Sequence, residues 1–106
     1  MNAIFQKWLI AQLRRVSRRW FPKEDARRKA KVKRGIYKCA ICEQLYRRKD
    51  TDLDHINPVV DPVKGFVDWN TFIERLFCDV DGYQVLCKNC HKKKSNEENA
   101  VRRKHK

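Results

Sequence analysis

Cys87-Lys88-Asn89-Cys90-His91 places two thiols three positions apart and an imidazole directly after the second. Cys39 and Cys42 repeat the same C-x2-C spacing. A tight turn between such cysteines presents both sulfurs to one ion, and two pairs complete the four-thiolate set of a structural Zn²⁺. Between the pairs lies Leu53-Asp54-His55-Ile56-Asn57-Pro58. The carboxylate of Asp54 and the imidazole of His91 together suit Mg²⁺, Mn²⁺ or a later divalent transition metal, with coordination positions left open. His55 is then free to take a proton from water near neutral pH. An activated water, a neutralised phosphate and a stabilised leaving oxygen are what phosphodiester hydrolysis needs. Neighbouring residues of a strand face opposite ways, so Asp54 and His55 share a site only where the strand ends or bends. Asn57-Pro58 supplies such an end.

The elements that must position these residues are legible at coarse grain. Residues 3–20 predict an amphipathic helix, with Ile4, Phe5, Trp8, Leu9, Leu13, Val16 and Trp20 near the 3.6 period. Lys7, Arg14, Arg15, Arg18 and Arg19 fall on its other side, and Phe21-Pro22 is expected to end it. The stripe is expected to dock on the core, or to form a dimer face, while the Arg side meets nucleic acid; a helix lying on a membrane surface is the lesser alternative. The basic run 23–34 is either a second helix or mobile until a polyanion binds. Ile36 to Cys39 reads as a strand into the first cysteine pair, with Leu45-Tyr46 returning. A strand over residues 50–56, a helix over 68–77 and a strand at Tyr83-Gln84-Val85-Leu86 follow, and a basic helix runs from His91 to about Lys104. The 68–77 helix should bury Trp69, Phe72, Ile73, Leu76 and Phe77. Cys78 reads as a small core residue, Glu97 and Glu98 as surface acids and His105 as a tail residue.

With 106 residues, 42% hydrophobic and 37% charged, the chain supports one small core and benefits from a metal staple. Its net charge of +13 is uneven. Residues 1–38 carry 13 Lys/Arg against 2 acids, residues 39–86 carry 5 against 9, and residues 87–106 carry 8 against 2. Basic arms attract polyphosphate, while the acidic centre is where a divalent cation would sit. This gives a basic helical N-terminal arm over residues 1–34 and a metal-stapled domain over residues 35–106. Gln6, Lys7, Gln12 and Arg14 interrupt the N-terminal apolar residues too early for a signal peptide, and no apolar run is long enough for a membrane span. A reducing cytoplasm fits thiolate–metal chemistry better than disulfides.

The set Cys39-x2-Cys42, Asp54-His55-Ile56-x-Pro58 and Leu86-Cys87-x2-Cys90-His91-x2-Lys94 resembles the HNH family of ββα-metal endonucleases. The stretches from Gly65 to Phe77 and Gln84-Val85-Leu86-Cys87 resemble its small phage-encoded members, so the similarity covers about residues 36–98. It implies a small α+β domain: a ββα-metal core stapled by zinc on Cys39, Cys42, Cys87 and Cys90, with the basic amphipathic helix before it. It also implies nicking or double-strand cleavage of DNA, with His55 as general base and Asp54 and His91 as ligands of the catalytic ion. Lys94 is expected on phosphate beside Arg14, Arg15, Arg18 and Arg19. A phage origin would place the protein in the cytoplasm of a bacterial host, with phage proteins as further partners. One position departs from the pattern: many members orient the base histidine with Asn five residues before the third zinc cysteine, and here that residue is Gly82. Asn70 or a backbone carbonyl is the expected substitute. A non-catalytic zinc-ribbon-like DNA-binding or accessory protein is the alternative, and Asp54, His55 and His91 are what such a binder does not need.

Overall fold

The computed structural model describes residues 2–105. Helix α1 (Ala3–Ser17) starts where the Asn2 side chain accepts from the Ile4 N–H at 2.7 Å. It stops before the expected end, and the Ser17 hydroxyl donates back to the Arg14 carbonyl. Pro22 opens α2 (Pro22–Ala30) at its first position, where a missing N–H costs nothing. Strand β1 (Lys31–Lys33) pairs antiparallel with β2 (Ile36–Lys38) through a turn at Gly35, whose φ of +74° suits glycine. Strand β3 (Leu45–Arg47) completes a three-stranded sheet in the order β1-β2-β3. The division at residue 34 therefore falls inside a hairpin. Residues 1–34 also supply Ser17, Pro22 and Ala26 to the buried set.

Strand β4 (Thr51–His55) and strand β5 (Tyr83–Cys87) form a second, antiparallel sheet with Leu53 opposite Val85 and His55 opposite Tyr83. Between them runs α3 (Trp69–Leu76), capped by Asp68 on the Thr71 N–H at 2.7 Å. Helix α4 (Lys88–Lys104) follows β5 without a loop, three residues earlier than expected, because the Cys87 side chain itself caps it. The protein is thus a small α+β domain with four helices and two small sheets among the described residues.

Two apolar clusters hold these parts. One joins Cys39, Leu86 and Cys87 with Tyr46; the other joins Val59, Phe72 and Leu76 with Ile10 and Leu13 of α1. The expected stripe of α1 docks only in part, since Ile4, Phe5, Trp8 and Val16 stay exposed. A cluster centred on three residues is too short to cover a helix of this length, about 22 Å at 1.5 Å per residue. Ile73 of α3 is likewise exposed, leaving Phe72 and Leu76 as that helix's buried anchors.

Gly82 is a steric requirement. A Cβ there would meet the Cys78 Sγ at 2.5 Å and its Cβ at 2.9 Å. The Gly82 carbonyl accepts from the Ile56 N–H at 3.0 Å, just past the end of β4, so the close approach is tied into the site's backbone. Gly82→Ala should lower unfolding stability by about 1–3 kcal/mol, as overpacking does. Cys78→Ala should restore only part, because its Cβ remains in place. Thermal or denaturant unfolding checks this, and a wild-type midpoint in Gly82→Ala would refute the contact.

Candidate functional site

Cys39 and Cys42 lie on the turn between β2 and β3, where Glu43 takes a left-handed φ of 62° to close it. Cys87 ends β5 and Cys90 sits in the first turn of α4. The four sulfurs lie within 4.8 Å of one another, with Cys42 Sγ and Cys87 Sγ 4.0 Å apart. A tetrahedron with metal–sulfur bonds near 2.3 Å spaces its sulfurs by about 3.8 Å. Burial works against the Cys39 thiolate, yet the backbone N–H groups of Cys87, Cys42 and Ile41 bring its thiol down to about 6. Cys90 is pushed up to about 12, first by its hydrogen bond to the Cys87 sulfur. Like charges this close cannot all ionise unless a cation joins them. The four cysteines are thus positioned to hold a metal ion. The Tyr46 hydroxyl, 3.5 Å from Cys42 Sγ, is an outer partner to the cluster that sequence reasoning missed.

The cluster ends where the second constellation begins. His91, next after Cys90, turns its Nδ1 to Asp52 Oδ2 at 3.0 Å. Its Nε2 faces Asp54 Oδ1 at 3.6 Å. Asp52 and Asp54 are two apart on β4 and so share the face toward α4. Lys88 also binds Asp52, at 2.6 Å. Burial opposes the Asp52 charge, but Lys88 and His91 still hold its carboxyl below the ordinary value. Asp54, which is buried, accepts from Gln84 Nε2 at 2.9 Å and from Lys94 Nζ at 2.9 Å.

Lys94 is engaged within the protein. Its ammonium reaches Asp54, Glu98 Oε1 at 3.1 Å and the His55 carbonyl at 2.9 Å. An ammonium has three donors, and these acceptors use all three. Burial would lower its pKa, but Asp54 and Glu98 outweigh burial and raise it. Lys94 is therefore a brace between β4 and α4. Glu98 is half-buried against it, while Glu97 is exposed.

His55 ends β4, and both it and Asp54 line one cleft of about 290 Å³ with Arg14, Lys94, Glu98 and Arg102. The strand's end thus brings neighbouring residues to one rim. His55 Nε2 lies 3.2 Å from the Leu76 carbonyl, and its ring sits 4.9 Å from that of Tyr83. Asn70 is exposed on the first turn of α3; the group that meets His55 is the carbonyl. Burial first, opposed by the Leu76 contact, lowers the His55 pKa below its ordinary 6.5. Arg14 also lies over the Phe72 ring, 5.7 Å from its centroid. Arg15, Arg18 and Arg19 are exposed, with no acidic partner among the described residues.

Compared with protein-family models, curated proteins and solved structures, the chain has no match. No helix of the described residues is long and apolar enough to cross a membrane.

The purified chain is expected to hold one equivalent of a thiophilic metal, measurable by elemental analysis. Cys42→Ser should lose that metal and its cooperative thermal transition. Full metal content in Cys42→Ser would remove this sulfur from the ligand set.

Proposed function

We propose that the protein is a metal-dependent endonuclease that hydrolyses DNA phosphodiesters, with β4, β5 and α4 as an HNH-type ββα unit. The observation that carries this reading is the facing of His91 Nε2 and Asp54 Oδ1. With the Nδ1–H donated to Asp52, Nε2 presents a lone pair to a carboxylate oxygen at 3.6 Å, too far for a hydrogen bond. Two electron donors so placed suit a cation between them, and their separation is under twice a bond of about 2.1 Å. A divalent ion held by Asp54 and His91 would neutralise the scissile phosphate and the leaving oxygen. The four cysteines, as an all-thiolate set, suit zinc in a structural role with no open position. The substrate fitting the basic helices on both sides of the cleft is duplex DNA.

The roles of the protein groups are set by their partners. The Nε2–H of His55 donates to the Leu76 carbonyl, so Nδ1 carries the lone pair that takes a proton from the attacking water. Burial keeps the ring neutral at working pH, and a divalent ion nearby pushes in the same direction. Asp52 fixes the tautomer and direction of His91. The competing reading is a protein that grips DNA without cutting it, and the Lys94–Asp54 ion pair suits that reading equally well.

Supercoiled plasmid incubated with Mg²⁺, Mn²⁺ or Ni²⁺ should be nicked or linearised, and EDTA should prevent it. His55→Ala should lower the rate by about 10²–10⁴-fold while keeping the cysteine-bound metal. Binding without cutting under every metal would favour the competing reading. Asp52→Asn should weaken catalytic-metal affinity by about 10–100-fold, seen as a higher metal concentration for half-maximal rate. The base must be neutral, so the rate should rise with pH through a value below 6.5 and be level at neutrality. A limb centred above 7 in the rate–pH profile would take the base role from His55.

A further inference from the structure

His55 walls two cavities. Beyond the cleft shared with Asp54 it lines a smaller one, of about 180 Å³, with Arg18, Lys23, Arg27, Leu53 and Tyr83. Three of these six residues are cations and none is an acid. Arg18 is the C-cap that follows α1, and the other two lie on α2.

The charges in this cavity are poorly balanced from within the protein. Arg18 has no acidic partner among the described residues. Among the described residues, Lys23 Nζ reaches only the neutral Ser17 hydroxyl, at 3.4 Å, and the Tyr83 ring, 5.8 Å from its centroid. Arg27 has Glu24 at 3.6 Å, but both Glu24 oxygens are already held by Arg48, at 2.7 and 3.2 Å. Burial and then the neighbouring Arg27 and Arg18 press the Lys23 pKa down, with Cys78 opposing. Lys23 and Arg27 are half-buried and Arg18 is exposed beside them, and like charges gathered in this way are costly alone and favourable around an anion. Guanidinium forks match phosphate oxygens, and an ammonium adds a compact charge.

We propose that Arg18, Lys23 and Arg27 form a binding subsite for one backbone phosphate of the nucleic acid, across His55 from the cleft that His55 shares with Asp54. The assignment of that phosphate to a DNA substrate rests on the nuclease reading; the anion site itself rests on the cavity. A strand seated in both cavities passes His55 instead of ending there, which is how an enzyme that cuts within a chain must hold it. Leu53 and Tyr83 give the subsite an apolar wall, which excludes water and strengthens the charge interaction.

The test uses the full chain with its cysteine-bound metal and no added divalent ion. Titration with inorganic phosphate, followed by NMR, should give a saturable perturbation centred on Arg18, Lys23, Arg27 and Tyr83. Arg18→Gln/Arg27→Gln keeps the side-chain stems and should abolish it; Arg15→Gln/Arg19→Gln removes the same charge outside the cavity and should not. On a duplex, the first pair should flatten the slope of log K against log salt by about 1, the value for one lost phosphate. A phosphate response that is absent, or that survives Arg18→Gln/Arg27→Gln, overturns the subsite. So does an unchanged slope. Plasmid cleavage with no phosphate response would overturn the subsite and leave the nuclease standing. Phosphate binding in a protein that never cleaves would uphold the subsite and remove the nuclease reading.

Discussion

The architecture depends on the junction at Cys87. That residue ends β5, contributes a sulfur to the four-cysteine cluster and caps the first turn of α4, where it accepts from the Cys90 N–H at 3.4 Å. A strand that becomes a helix with no loop has almost no angular freedom when its junction is also tied to another turn. Cys39 and Cys42 provide that tie, and the Ala40 N–H reinforces it by donating to the Val85 carbonyl at 2.9 Å. The direction of His91 is fixed in turn, because it is the next residue after Cys90 on a helix whose start cannot rotate. Apolar clusters as small as those around Leu86 and Phe72 could not fix that direction by packing alone.

Between β4 and α4 lies a layer in which charge, more than apolar contact, sets the spacing. Lys88 and His91 meet Asp52, and Lys94 meets Asp54 and Glu98. Such networks cost desolvation, and breaking one partner leaves the other charge exposed to a poor environment. Their return is registry. Asp52 and Asp54 are held on the α4 side, while Leu53 and His55 line the cavity on the other side of the strand. The alternation of β4 therefore separates the carboxylates that face α4 from the imidazole that faces Leu76 and Tyr83. Only the end of the strand lets Asp54 and His55 serve one cleft.

Much of this could be read from residue types and spacing, and the rest failed for identifiable reasons. The C-x2-C pairs specify their cluster because that spacing has one compact solution. Thr51 to His55 and Tyr83 to Cys87 alternate well enough to be strands, yet nothing in either says that Asp54 lies opposite Gln84. Register is a pairwise property, which is why Gln84 and the bracing role of Lys94 were missed. Asp52 could have been found, since it sits two residues from Asp54 on an alternating strand. Lys31-Val32-Lys33 looks like the tail of a basic helix and becomes a strand only because the Gly35 turn lets it pair with Tyr37 and Ile36. Pro22 reads equally as a terminator and as a first helical residue. Tertiary packing decides between them, since Pro22 and Ala26 of α2 are both buried.

His55 is held by a backbone group, the Leu76 carbonyl. A Cβ at position 82 has no room beside Cys78, so an asparagine there is sterically barred in this chain. The Leu76 carbonyl lies at the C-terminal end of α3, where helix carbonyls lack intrahelical partners and carry the negative end of the dipole. It accepts from the Tyr83 hydroxyl at 2.9 Å and meets His55 Nε2 at 3.2 Å. The Tyr83 bond fixes the carbonyl, and the carbonyl fixes the imidazole. In the proposed reaction that negative end also favours the imidazolium that forms when Nδ1 takes a proton. A backbone group cannot be lost by substitution, so orientation of His55 depends on where α3 ends, and hence on the packing of Phe72 and Leu76 beneath it.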